Sequence, residues 1–192
     1  MKSGTTYLQA RLEHNRERLA DDGVLFPGPQ WKDQLRAARG AMTRARAGHD
    51  LRDGAGRWGR MRAQLLGWTG AQAILSVEHL SRASSGQARA VVAALEPCAV
   101  RVVVTARDLG RAIPSAWQQE LKAGSHESFT TFVRAVATAG GAEVAEGLRG
   151  TDDADSDDAS ARSARHFWQL HDPGAHVRRW STAVGADNLT VV

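Results

Sequence analysis

The run AVRVVVTA, β-branched from Val100 and closing at Ala106, constrains the fold of this chain more than any other segment. It is far too short to cross a bilayer, and it lies between Pro97 and the polar pair Arg107-Asp108. Apolar residues that crowd together over so short a run describe a strand buried on both faces, as in a parallel sheet. The chain then passes through Asp108-Leu109-Gly110 to a helix expected to begin near Pro114, where a missing N–H costs little. Other segments repeat this alternation. Val24-Leu25-Phe26 is a short apolar run stopped by the turn Pro27-Gly28-Pro29, and AQAILSV (Ala71 to Val77) reads as a second buried strand. Gly86 to Glu96 is predicted to be a helix ended by Pro97, and Phe129, Phe132, Val133 and Val136 mark another, ended by Gly140-Gly141. Trp168, a helix containing Val177 and Trp180, and a last strand at Leu189 to Val192 complete the order. The expected class is α/β, with a parallel sheet flanked by helices and sites at the C-terminal ends of strands.

A chain of 192 residues fits one domain able to bury about 70% of its unfolded surface. The 42% hydrophobic content and six Trp favour a packed core over a disordered chain. Cys98 is the single cysteine, so no internal disulfide can form and a cytoplasmic location is expected. Its apolar neighbours suggest a small buried hydrophobe rather than a nucleophile. No apolar run approaches the ~20 residues of a membrane span, and no signal core follows the N-terminus. From Lys32 to Arg62 nine Lys or Arg face only three acids, Asp33, Asp50 and Asp53. Such a stretch can attract polyanions, but no nucleic-acid fold signature accompanies it, so no specific nucleic-acid partner is expected. Glycines at 40, 48, 54, 56 and 59 suggest short helices with loops there, and low order near Asp50 to Gly59.

The chemistry starts at the N-terminus. Lys2-Ser3-Gly4-Thr5-Thr6 reads as a phosphate-cradling loop running into a helix over Tyr7 to Asp22, with Leu8, Leu12 and Leu19 on one face and Asn15 as its polar key. A Lys, hydroxyls and a Gly at a helix start surround an anion with a cation, open N–H groups and a positive dipole end. In a Walker-type P-loop the Lys follows the glycines; here Lys2 precedes Gly4. Farther on, Arg107 closes the 100–106 strand and Ser115 opens the expected next helix, a guanidinium and a hydroxyl suited to a phosphate dianion.

The Lys2–Thr6 loop resembles the 5′-phosphosulfate loop of sulfotransferases that use 3′-phosphoadenosine-5′-phosphosulfate (PAPS). VVVTARDLGRAIPSAWQQELKAG is similar to their 3′-phosphate-binding segment. The stretches YLQARLEHNRERLADDGVLFPG and FWQLHDPGAHVRRWSTAVGADNLTVV look like segments of bacterial members, so the resemblance covers somewhat over a third of the chain. It implies a P-loop NTPase-like sulfotransferase fold, PAPS as co-substrate, no metal, and a hydroxyl or amine acceptor. Lys2 would stabilise charge on the departing phosphate, with Ser3 holding or gating it. Gly4, Thr5 and Thr6 would bind the 5′-phosphate, and Arg107 and Ser115 the 3′-phosphate. For the catalytic base the resemblance offers Glu78, as in carbohydrate sulfotransferases, or His79, as in small-molecule ones. Strand alternation sends Ser76 and Glu78 to one face and His79 to the other.

Two other readings stay open: a P-loop kinase or other NTP-binding protein, and a non-catalytic remnant of a sulfotransferase. With only Met1 ahead of Lys2, and Val191-Val192 closing the chain, the first and last strands are expected to be incomplete and the chain a fragment. Thr151 to Ser160 (TDDADSDDAS) spaces its Asp like the opening of a calcium loop, but lacks that loop's glycine and final Glu; a mobile acidic loop is expected. His166, His171 and Asp172 form no recognisable triad or metal site, and suit packing and capping. His14, His49, His126 and His176 lie in polar surroundings.

Overall fold

The computed structural model describes residues 5–141 and 159–192. They fall into two compact units. The larger takes residues 5–104 and 176–192, and the smaller takes the described residues between 105 and 175. Lys2, Ser3, Gly4 and nearly all of the acidic 151–160 stretch lie outside the described residues.

In the larger unit α1 (Thr5–His14) and α2 (Arg16–Asp21) lead to β1 (Val24–Leu25). Next come α3 (Trp31–Arg46), α4 (Gly56–Leu66), β2 (Gln72–Ala73), a 3-10 turn (Glu78–Arg82), α5 (Ser85–Ala93) and β3 (Val102–Val104). The chain returns in α9 (Pro173–Val184) and ends in β4 (Leu189–Val191). Strands and helices alternate as expected, and among the described residues both strand pairs are parallel. They form two two-stranded sheets rather than one. β1 lies beside β2, with Val24 opposite Gln72, and β3 beside β4, with Val103 opposite Thr190.

The strands are shorter than their apolar runs, for a local reason. After Ala73 the Ile74 N–H still bonds the Leu25 carbonyl at 2.8 Å. Beyond it, side chains take over the Ser76 backbone (below), so no ladder continues. Val103 is 62% exposed while Val104 is buried, so the 100–106 run is covered on one face rather than both.

The core of this unit is built by α3, α4 and α5 around Ala37, Ala41, Trp58, Met61, Val91 and Leu95. Gly40 does not break α3, because its alanine-rich face (Ala37, Ala38, Ala41) packs inward. Nor is Gly59 a break. A Cβ there would lie 1.8 Å from the Gly54 carbonyl oxygen, so glycine permits the 54–59 loop to fold onto its own helix. The expected 7–22 helix is split at Asn15 into α1 and α2; on it Gln9 is buried and Leu8 is 48% exposed, while Leu12 and Leu19 are half-buried, so the expected leucine face is covered only in part. Cys98 is exposed, contrary to expectation, because it follows Pro97 in the turn after α5 and points away from the core. His176, expected in polar surroundings, is buried.

The smaller unit holds α6 (Leu109–Lys122), α7 (Phe129–Gly141) and α8 (Ala159–His171). Phe132, Val136, Ala164 and Phe167 form its core, with the Phe132 and Phe167 rings edge to face at 6.2 Å. His171 stacks on Phe167 at 4.6 Å, and Asp172 Oδ1 accepts the Ala175 N–H at the start of α9, which are the packing and capping roles expected of them. α6 starts five residues before Pro114. Asp108 Oδ1 accepts the Arg111 N–H at 2.9 Å and caps the helix, so Pro114 and Ser115 lie inside α6. Gly140 is a packing glycine within α7, since a Cβ there would meet the Trp168 ring at 2.3 Å. Among the described residues no helix is long and apolar enough to cross a membrane.

Candidate functional site

The segment after β2 carries the polar constellation of the larger unit. Three side chains hold the Ser76 backbone in place. Gln34 Oε1 accepts the Ser76 N–H at 2.9 Å, while Gln9 Nε2 and Trp31 Nε1 donate to the Ser76 carbonyl at 3.1 and 2.7 Å. Gln34 is fully buried and its other end, Nε2, donates to the Pro27 carbonyl at 3.0 Å. One amide therefore satisfies a donor on the 74–77 segment and an acceptor in the turn after β1. The middle of α1 and the first turn of α3 thus converge on one peptide of the segment after β2.

Two residues past this peptide the backbone turns. Val77 is extended and Glu78–Arg82 form the 3-10 turn, so strand alternation does not set the directions of Glu78 and His79. The Thr5 hydroxyl donates to Glu78 Oε2 at 3.2 Å across 73 residues of sequence. The first residue of α1 thus touches one of the two candidate bases. Burial, together with the guanidinium charges of Arg39 and Arg82, holds the His79 imidazole below its ordinary value, and the Glu78 carboxylate opposes them. The turn is tied from behind by Arg179, which donates to the Ser81 carbonyl at 2.7 Å and lies 3.1 Å from His176 Nδ1.

Of the cofactor residues expected from sequence, Thr5 is half-buried and engaged with Glu78, and Thr6 is exposed at the start of α1. Arg107 is exposed between β3 and α6, and Ser115 is half-buried in the second turn of α6; both belong to the smaller unit. Sequence reasoning did not single out Gln9, Trp31 or Gln34. For Gln34 a signal existed: the buried spacing 37, 38, 41, 42 of α3, extended back one turn, lands on it. A glutamine on a core face must find partners there.

The chain matches no protein-family model, and no curated protein or solved structure is significantly similar to it.

Proposed function

We propose that this chain is a PAPS-dependent sulfotransferase with a P-loop-type α/β fold, acting on a hydroxyl-bearing (or amine) acceptor in the cytoplasm. The observation that carries the reading is the Thr5–Glu78 hydrogen bond. It joins the helix start that follows the Lys2–Thr6 loop to the turn bearing both candidate bases, as transfer from a loop-held donor to a base-activated acceptor requires. Parallel strand pairing and the alternating element order support the same reading.

In this mechanism PAPS supplies the sulfuryl group. The acceptor oxygen forms a bond to sulfur as the bond from sulfur to the phosphate oxygen breaks, and the acceptor proton passes to a base. Glu78 or His79 would be that base, and Glu78, which accepts from Thr5, would also position the loop-bearing helix. Lys2, held or gated by Ser3 within the cofactor loop, would stabilise charge on the departing phosphate, Gly4, Thr5 and Thr6 would hold the 5′-phosphate, and Arg107 and Ser115 the 3′-phosphate.

The test is a thermal-shift titration with 3′-phosphoadenosine-5′-phosphate against ATP–Mg²⁺, in wild type and Arg107→Ala. Ligand that binds only the folded state raises the melting temperature. A rise with the 3′-phosphorylated nucleotide, lost in Arg107→Ala, is expected. A rise with ATP–Mg²⁺ alone would replace this reading with an NTP-binding one. Binding without sulfuryl transfer to any of a panel of phenols, sugars and amines would leave a non-catalytic member of the family. No rise with either ligand in a folded sample would refute the nucleotide site.

A further inference from the structure

Helix α3 carries its charge on one side. Its buried residues, Gln34, Ala37, Ala38, Ala41 and Met42, face the core. At about 100° per residue, Lys32, Arg36, Arg39 and Arg46 fall within a sector of about 80° on the opposite side. All four are exposed, and they run about 21 Å along the helix at its ordinary rise. The one acid in α3 is Asp33, which pairs with Arg36 at 3.2 Å. Lys32, Arg39 and Arg46 have no acidic partner among the described residues. Folding alone does not call for such a row. Lys32 and Arg36 are four apart and Arg36 and Arg39 three apart, spacings at which like charges repel. Lys32 also stands in the first turn, where the helix dipole disfavours a cation. An anion along this face would relieve all three.

We infer that the outer face of α3 docks double-stranded nucleic acid through its phosphate backbone, without base preference. A single row of cations matches a line of phosphodiesters, and a guanidinium grips a phosphate through paired N–H groups. Binding to single strands would call for stacking aromatics. The one aromatic of α3, Trp31, is half-buried, with its Nε1 committed to the Ser76 carbonyl. A membrane surface would take apolar side chains among the cations, and the other exposed residue of α3 is Thr43, which shares their sector. None of the four cations belongs to the proposed nucleotide site, so the inference stands apart from sulfuryl transfer.

The experiment is a fluorescence-anisotropy titration of the full chain with two labelled duplexes of unrelated sequence, over about 50 to 200 mM salt. Both are expected to bind equally, with affinity falling roughly a hundredfold over that range, the salt dependence of about four phosphate contacts. The double variant Lys32→Gln/Arg39→Gln should lose affinity on the order of tenfold per cation at about 100 mM salt, and its log–log slope should fall by about two. Its melting temperature should equal or exceed the wild type, because like-charge contacts are removed. The control Arg60→Gln/Arg134→Gln removes the same net charge from exposed positions off α3 and should bind nearly as the wild type does. No duplex binding at the lowest salt, a preference for one sequence, or equal losses in the two double variants would overturn the assignment. Capture by phosphatidylserine vesicles but not by duplex, lost in Lys32→Gln/Arg39→Gln, would give the face to a membrane instead. Duplex binding lost in Arg107→Ala but kept in Lys32→Gln/Arg39→Gln would move it to the nucleotide site.

Discussion

Replacing Gln34 with Ala tests whether a single buried amide holds the segment that carries Glu78 and His79. The change removes both bonds of Gln34 and leaves the Ser76 N–H and the Pro27 carbonyl without their partner. An unsatisfied buried polar group costs about 1–3 kcal/mol. Ser76 is half-buried and belongs at the low end, about 1 kcal/mol; Pro27 is fully buried and belongs near the middle, about 2 kcal/mol. The sum, about 3 kcal/mol, is roughly a hundredfold in the folding equilibrium. It corresponds to about 6–12 °C in melting temperature for a chain of this length. Urea denaturation at unchanged m-value would measure it, and amide exchange would locate it, with faster exchange at Ser76 than in α7 or α8. Gln34→Leu separates packing from hydrogen bonding: its buried side chain offsets part of the loss but neither bond, so it should stay about 1 kcal/mol or more below wild type. Gln34→Leu as stable as wild type, with Ser76 exchange unchanged, would refute the claim that this amide pins the segment.

Three further outcomes are expected. Thr5→Val should destabilise by about 1 kcal/mol, the net worth of one half-buried hydrogen bond, and a double-mutant cycle with Glu78→Gln should show coupling; additive effects would mean the pair does not interact in solution. His79 is held below its ordinary pKa in the folded protein, so the unfolded chain takes up a proton first as pH falls through about 6.5. Its contribution to stability is present above that pH and is lost as pH falls toward the folded value; NMR titration should place His79 below its ordinary value and Arg39→Ala should raise it. Gly140→Ala must displace the Trp168 ring and its 2.9 Å bond to the Val136 carbonyl. Overpacking of about 1–3 kcal/mol should exceed the roughly 1 kcal/mol gained from helix propensity, with a shifted Trp emission spectrum; a more stable variant with unchanged emission would contradict the packing.

Much of the architecture was legible because it rests on local chemistry. Pro27-Gly28-Pro29 stops β1, and the valines at 102–104 and Leu189 to Val191 form parallel strands. Phe132 and Val136 turn inward at helical spacing, as expected. Where reading failed, a local signal met a stronger competitor. Pro114 resembles a helix start, but the Asp108 carboxylate caps the same helix earlier. Gly40, Gly59 and Gly140 resemble breaks, but lie inside helices, two of them where a side chain would strike a neighbour. Leu8 resembles a core residue, but Gln9 takes the buried position, where its amide joins Trp31 in donating to the Ser76 carbonyl.

Sequence alone determined the order of elements, the residue types available to an anion, and the pairing of Glu78 with His79 beyond the second strand. Each follows from periodicity, turn chemistry or the identity of neighbours within a few residues. Tertiary structure decided which of these meet. No local rule brings Thr5 to Glu78 across 73 residues or suspends one peptide between Gln9, Trp31 and Gln34. Such contacts arise because buried backbone groups must find partners wherever the packing of helices on strands leaves them, and that requirement is met in space rather than along the chain.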